Sequence, residues 1–243
     1  MRLDRSFFEL QAAFVRRAAE ILDISETDAF RRFTTFYWIA DDNDAGRRPE
    51  EWSFDPAHPA WSAFSNAIQN GTDPVDYVYR HHLQSLGANG FRTCFEYDYW
   101  AEAGWVCLHF GNSPDGQGLK PESLPARRAE LHRIFSEVAR YHPEAEAVRG
   151  CSWLYHVRPY RELFPPEFVA RLSSAGYLHQ FAALWGQFID RHGKVKSHVG
   201  SAFRSAVASA QSLADLNSAF PRDVLAATCP IHVFYRHFEV TRK

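Results

Sequence analysis

The chain has 243 residues, 46% hydrophobic and 23% charged, which is the balance of a globular protein able to bury a sizeable core and excludes disordered and fibrous classes. Twenty-seven basic residues against 29 acidic ones leave a formal charge of -2 with no basic tail or stripe, so the footprint of a nucleic-acid partner is missing. Charges run through the opening MRLDRSFFELQAAFVRRAAEIL and no later apolar run approaches spanning length, which points to a cytoplasmic chain without a signal peptide or membrane partner.

Phe7, Leu10, Phe14, Ala18 and Ile21 to Leu22 recur at helical intervals, and Ser25 offers a cap for a second amphipathic helix through Phe33 and Phe36. Charge, Gly and Pro in DDNDAGRRPEEWSFDPAHP then predict a long surface loop over 41 to 58. A third helix starts near Pro59. A fourth, TDPVDYVYRHHLQSLG, has Asp73 as cap, Pro74 in its first position and Gly87 at its exit.

At FRTCFEYDYWAEAGWVCLHFGN strict alternation replaces helical spacing and predicts a β-hairpin. Directly opposed residues share a face, so the apolar faces of the two strands must coincide. Trp100 opposite Trp105 over a four-residue loop satisfies this, setting Asp98 against Cys107 and Glu96 against His109. A slip of one residue opposes polar to apolar.

The loop GNSPDGQGLKPES leads into a helix, LPARRAELHRIFSEVARYH, with buried spacing at Leu131, Ile134, Phe135 and Val138. EAVRGCSWLY reads as the next strand, and a strand, crossover helix and strand of this length make a parallel pair. Helical stretches follow around Glu162 to Leu172 and Leu178 to Ile189, the latter also readable as a strand. SHVGSAFRSAVASAQSLADL reads as one small-residue helix and PIHVFYRHFEV, by alternation, as a closing strand. The fold class is α+β: N-terminal helices, then a mixed β-sheet with packed helices. Residues 1–58 form a helical segment and loop and 59–243 the core, in one continuous domain.

The sharpest chemistry lies on the hairpin face bearing Cys94, Glu96, Asp98, Cys107 and His109. A carboxylate opposite an imidazole fixes its tautomer and raises its basicity, which makes His109 with Glu96 a candidate general base. The competing reading is a solvated sheet face. Metal ligation finds no support: His81 and His82 diverge on a helix, His232 and His237 fall on opposite faces of the expected strand, and Glu96, Asp98, Cys107 and His109 match no ligand spacing. Cysteines 94, 107, 151 and 229 lack a C-x-x-C pair and are expected as free thiols.

In RGCSWLYHVRPYRELFPPEF an extended strand puts Arg149, Cys151, Trp153 and Tyr155 on one face and Gly150, Ser152 and Leu154 on the other. The segment is either aromatic core or the wall of a pocket. Past it, Arg158 and Arg161 are placed to hold a carboxylate or phosphate, or to pair with Glu162 and Glu167 on the surface.

From Pro59 onward, two helices, a hairpin, a loop into a helix, a strand, a helix and late strands resemble the GNAT acyltransferase fold in element order. SWLYHVRPYRELFPPEF followed by LWGQFIDRHG looks like part of a bacterial family with a GNAT-like carboxyl half. In that family the loop after the fourth strand wraps the acyl-CoA pyrophosphate, and here HFGNSPDGQGLKPES holds the matching place, with Asn112, Gly116, Gln117 and Gly118. The family's basic Gly-rich motif is not reproduced, and Asp115 stands in the loop. The resemblance implies a small-molecule enzyme transferring an acyl group to an amine or similar acceptor, with acyl-CoA or an acyl carrier protein as donor. His109 assisted by Glu96 would take the proton, and Ser152, Trp153, Tyr155 and Trp185 would line the acceptor site. The alternative is a binding or assembly protein whose aromatic excess, 15% of the chain, forms an interface.

Overall fold

A computed structural model of the chain describes residues 2–36, 47–48, 53–54, 57–85, 93–111 and 118–241. In chain order its elements are α1 (Arg5–Leu22), α2 (Glu26–Phe33), β1 (Arg47–Arg48), β2 (Ser53–Phe54), α3 (Pro59–Gln69), α4 (Pro74–Ser85), β3 (Phe95–Trp100), β4 (Trp105–Phe110) and α5 (Leu124–Tyr141). There follow β5 (Ala147–Ser152), α6 (Arg158–Arg161), α7 (Pro166–Val169), β6 (Ser173–Gly176), α8 (Ala182–Trp185), α9 (Ser197–Ser209), α10 (Leu213–Ser218), β7 (Val224–Pro230) and α11 (Ile231–His237). The class is α+β. Contacts divide it into two compact units, a helical one of Arg2–Asn89 with Tyr177–Pro221 and a sheet unit of Gly90–Gly176 with Arg222–Lys243. Residues 59–89, grouped with the sheet in the sequence reading, go with the N-terminal helices.

In the helical unit the local signals act as read. Asp4 caps α1 by accepting from the Ser6 amide, Ser25 caps α2 through Asp28 N, and Asp73 accepts from Asp76 N at the start of α4. Phe7, Leu10, Phe14 and Ala18 are buried on one stripe of α1. Phe14 meets Trp185 edge-on at 5.8 Å and Phe220 at 5.5 Å between ring centroids. Within the expected loop, β1 and β2 pair antiparallel. The expected long helix near the end of this unit is broken in two. Ala210 leaves α9 extended and turns its carbonyl to Arg17, whose Nε and Nη2 donate at 2.9 and 2.6 Å, and Ser212 caps α10.

The sheet unit has strand order β3-β4-β5-β7-β6. The hairpin register is the one derived from face matching: Trp100 opposes Trp105, Asp98 opposes Cys107 and Glu96 opposes His109. β4 and β5 are parallel across the α5 connection, while β7 runs antiparallel to both of its neighbours, β5 and β6. Phe95, Val106, Leu108, Val148, Ala227 and Cys229 face one core with Leu131, Ile134, Phe135 and Val138 of α5, Phe168 of α7 and Phe234 of α11. Buried Arg127 pairs with Glu130 at 2.8 Å and donates to Cys94 Sγ, while Glu130 accepts from Phe95 N, tying the start of α5 to the entry of the hairpin.

Two expected elements fail here. The closing strand at PIHVFYRHFEV is instead the end of β7 followed by helix α11, because Ile231, Phe234, Tyr235 and Phe238 recur at helical spacing and all are buried. The preceding VLAATCP, without clear alternation, is the strand. His232 and His237 therefore belong to α11 rather than to a strand. The helix expected over Glu162 to Leu172 is interrupted at Pro165–Pro166, and the chain makes the short turns α6 and α7 before β6.

Candidate active site

Alternation along three adjacent strands assembles one polar face on the side of the sheet opposite its core. Glu96, Asp98 and Trp100 come from β3, Trp105, Cys107 and His109 from β4, and Arg149 and Cys151 from β5, where Arg149 is the register partner of Cys107. His109 Nε2 lies 2.8 Å from Asp98 Oδ2. The carboxylate that holds His109 is thus its diagonal neighbour and not Glu96, its directly opposed residue. Strand twist draws one diagonal of a cross-strand pair together, and the shorter Asp side chain reaches the ring along it. The pair is open to solvent, with His109 35% and Asp98 48% exposed. Arg149 lies over the Trp105 ring at 4.6 Å.

Cys151 borders the same face, but burial pushes its thiol up to about 12, so it is not a thiolate nucleophile near neutral pH. None of the four cysteines is disulfide-bonded.

The parallel pair parts at this level. β4 and β5 are joined through Trp105↔Ala147, Val106↔Val148 and Cys107↔Arg149, and there their shared ladder ends. Among the described residues β4 continues to Phe110 in register with β3, and β5 continues to Ser152 in register with β7. Among the described residues the two strands share no register pair beyond Cys107↔Arg149. His109 stands just past that point.

Tyr155 does not share the face of Arg149 and Cys151. The strand stops at Ser152, whose Oγ accepts from Leu154 N and caps a 3-10 turn over Trp153–His156. That turn carries Tyr155 back under Gly150 into the core, 1% exposed, with ring centroids of Tyr160, Phe164 and Phe168 at 5.2, 5.3 and 5.6 Å. Burial raises both phenols, Tyr155 and Tyr160. For Tyr155 the segment is core and not pocket wall, and Ser152 is a cap. Trp153 keeps partial exposure in the turn. Trp185 is fully buried in the helical unit, its indole N–H donating to His179 O at 2.7 Å. Arg158 is exposed and pairs with Glu162 at 2.6 Å, while Glu167 pairs with Arg236 rather than with Arg161, which is half-buried in α6. Gly118, at φ 55, lies in a turn; Asn112, Gly116 and Gln117 lie outside the described residues.

Two open concavities of about 340 Å³ each lie in the helical unit, one along α2 and α3 by Asp28, Arg31 and Trp61, the other by Arg5, Glu9, Arg16 and Asp73. Neither is lined by His109, Trp153 or Tyr155. Among the described residues no group of three or more His, Cys, Asp or Glu is arranged to hold a metal ion, and no helix is long and apolar enough to cross a membrane. No protein-family model, curated protein or solved structure matches the chain.

Proposed function

We propose that the chain is a small-molecule enzyme that transfers an acyl group from a thioester, of coenzyme A or a carrier protein, to an amine or similar acceptor. The observation that carries this reading is the parting of β4 from β5 beside the Asp98–His109 pair. Where two neighbouring strands stop sharing a ladder, an extended donor arm bearing amides can pair as an added strand would. His109, its Nε2 held by Asp98, accepts at Nδ1 the proton that the amine loses on attacking the thioester carbonyl. The carbon–sulfur bond then breaks and the thiolate leaves. The alternative, an aromatic interface for a protein partner, draws less support. Large aromatics are spent in the two cores, and the only large hydrophobic side chains classed as exposed among the described residues are Leu83 and Tyr141.

The test joins binding to turnover. Acetyl-CoA and longer acyl-CoAs at a hundred times their dissociation constant should stabilise the native chain by about 3 kcal/mol, since only native-state binding raises stability. An amine panel should then give transfer that His109→Gln lowers on the order of 100-fold. Full activity in that variant, or no thermal response to any acyl thioester, sinks the reading.

A further inference from the structure

A second histidine of the sheet unit is built into a tighter arrangement than His109. His156 closes the 3-10 turn after β5, and its Nε2 lies 2.9 Å from Asp223 Oδ1, immediately before β7. The other oxygen of Asp223 accepts from the Ser174 hydroxyl on β6, and Ser174 Oγ in turn accepts from Gly176 N at 3.1 Å. Arg222 Nη1 donates to the His156 carbonyl at 3.3 Å. Three segments separated by up to 67 residues thus converge on one carboxylate. The side chains of His156 and Asp223 are 27% and 25% exposed, against 35% and 48% for His109 and Asp98.

The bonding dictates the tautomer. A carboxylate only accepts, so neutral His156 carries its proton on Nε2 and keeps a lone pair on Nδ1. Among the described residues Nδ1 meets no hydrogen-bond partner, and the side chain is partly open to solvent. Its position adds a second argument. β5 and β4 are the parallel pair of this sheet, and ligands of open sheets with parallel strands bind outside the strands' carboxyl ends. His156 sits four residues beyond the end of β5, and β7 begins and β6 ends at that same end.

We propose that His156 is a general base, aimed by Asp223 and Ser174 as positioning residues, for a small molecule or water carrying an ionisable O–H or N–H at the carboxyl end of β5. The inference goes beyond acyl transfer from a thioester and stands without it. A probe that needs neither a thioester nor an amine is p-nitrophenyl acetate. The water oxygen bonds to the ester carbonyl carbon while a water proton passes to Nδ1. The carbon–oxygen bond breaks with its electron pair on p-nitrophenolate, and the imidazolium returns its proton to solvent.

The experiment follows p-nitrophenolate release by the full chain. His156→Gln should lower the protein-dependent rate tenfold or more, while His132→Gln, an exposed histidine on α5, leaves it unchanged. A loss smaller than tenfold in a folded His156→Gln protein overturns the proposal. Asp223→Asn should lower the rate and redistribute the proton between the two ring nitrogens, read in long-range ¹H–¹⁵N spectra, with Asp223→Glu restoring part of both. A merely structural Asp223 would leave the tautomer signature where it is. Should His156→Gln fail to fold, the wild-type spectra decide: a neutral imidazole protonated on Nε2 supports the assignment, and one protonated on Nδ1 overturns it. Acyl-CoA binding is scored separately, so either reading can fail while the other holds.

Discussion

Gly150 is the position where one added methyl group should report most directly on the architecture of the sheet unit. Its φ is not in the left-handed region, so alanine suffers no backbone strain there, and Gly→Ala at a compatible backbone is ordinarily stabilising by about 0.4–1 kcal/mol. Here the sign should reverse. A Cβ on Gly150 would stand 2.9 Å from Phe168 Cζ and 3.0 Å from Tyr155 Cζ, and would overlap Tyr155 Oη outright. Carbon contacts are optimal near about 3.5–4.0 Å, and all three atoms belong to rings locked among Tyr160, Phe164 and Phe234. Relief requires moving the 3-10 turn away from β5. Overpacking of this kind costs about 1–3 kcal/mol and sometimes more, and three simultaneous overlaps put Gly150→Ala near the upper end, about 3 kcal/mol. At roughly 2–4 °C per kcal/mol for a chain of this size, the near-ultraviolet circular-dichroism melt should fall by about 6–12 °C. Tyr155→Phe alone removes one buried hydroxyl and should change stability by no more than about 1 kcal/mol. The double variant should be more stable than the sum predicts by about 1–2 kcal/mol, because the worst overlap is gone while the 2.9 and 3.0 Å contacts persist. A Gly150→Ala protein as stable as wild type, or strict additivity in the double variant, would refute the placement of Tyr155 under the strand.

His179 is enclosed by Phe14, Phe33, Tyr177 and Phe220 and bonded to Asn217, and desolvation lowers its titration to about 4; burial does the same to His82, also to about 4. The unfolded chain binds these protons near pH 6.5 and the folded chain only near 4, so stability falls as pH drops through that window, by about 3 kcal/mol for His179 alone. Urea midpoints between pH 7 and 4 read it: His179→Phe should flatten the slope, and an unchanged slope counts against a buried neutral ring. Trp185→Ala should cost about 3–5 kcal/mol in stability and, in any esterase or transferase assay run below the melt, leave turnover per folded molecule intact; a selective loss of turnover would return Trp185 to the binding residues. Asp98→Asn should lower acyl transfer more than Glu96→Gln does, since Asp98 is the residue bonded to His109, and the reverse ranking would restore the opposed pair.

What was legible in the sequence is what local physics decides. The caps at Ser25 and Asp73 act within one helical turn. The hairpin register follows from the alternation of 95–100 and 105–110, because a one-residue slip would bury carboxylates under α5. The polar face, with Asp98, Cys107 and His109 on it, follows from the same alternation. Tertiary structure decided the rest, where two local readings were equally good or where no local signal exists. Ile231, Val233 and Tyr235 alternate while Ile231, Phe234, Tyr235 and Phe238 also keep helical spacing; burial of the second set against Phe135 and Phe168 selects the helix. Alternation placed Tyr155 beside Cys151, but the chain gains more by ending the strand on the Ser152 cap and burying an aromatic ring in the space Gly150 leaves open. Glu96 against Asp98 is a choice made by strand twist, which spacing does not encode. The convergence of His156, Ser174 and Asp223 depends on β7 entering the sheet between β5 and β6, a pairing over many tens of residues whose stabilisation comes from buried sheet contacts that no short window of the chain contains.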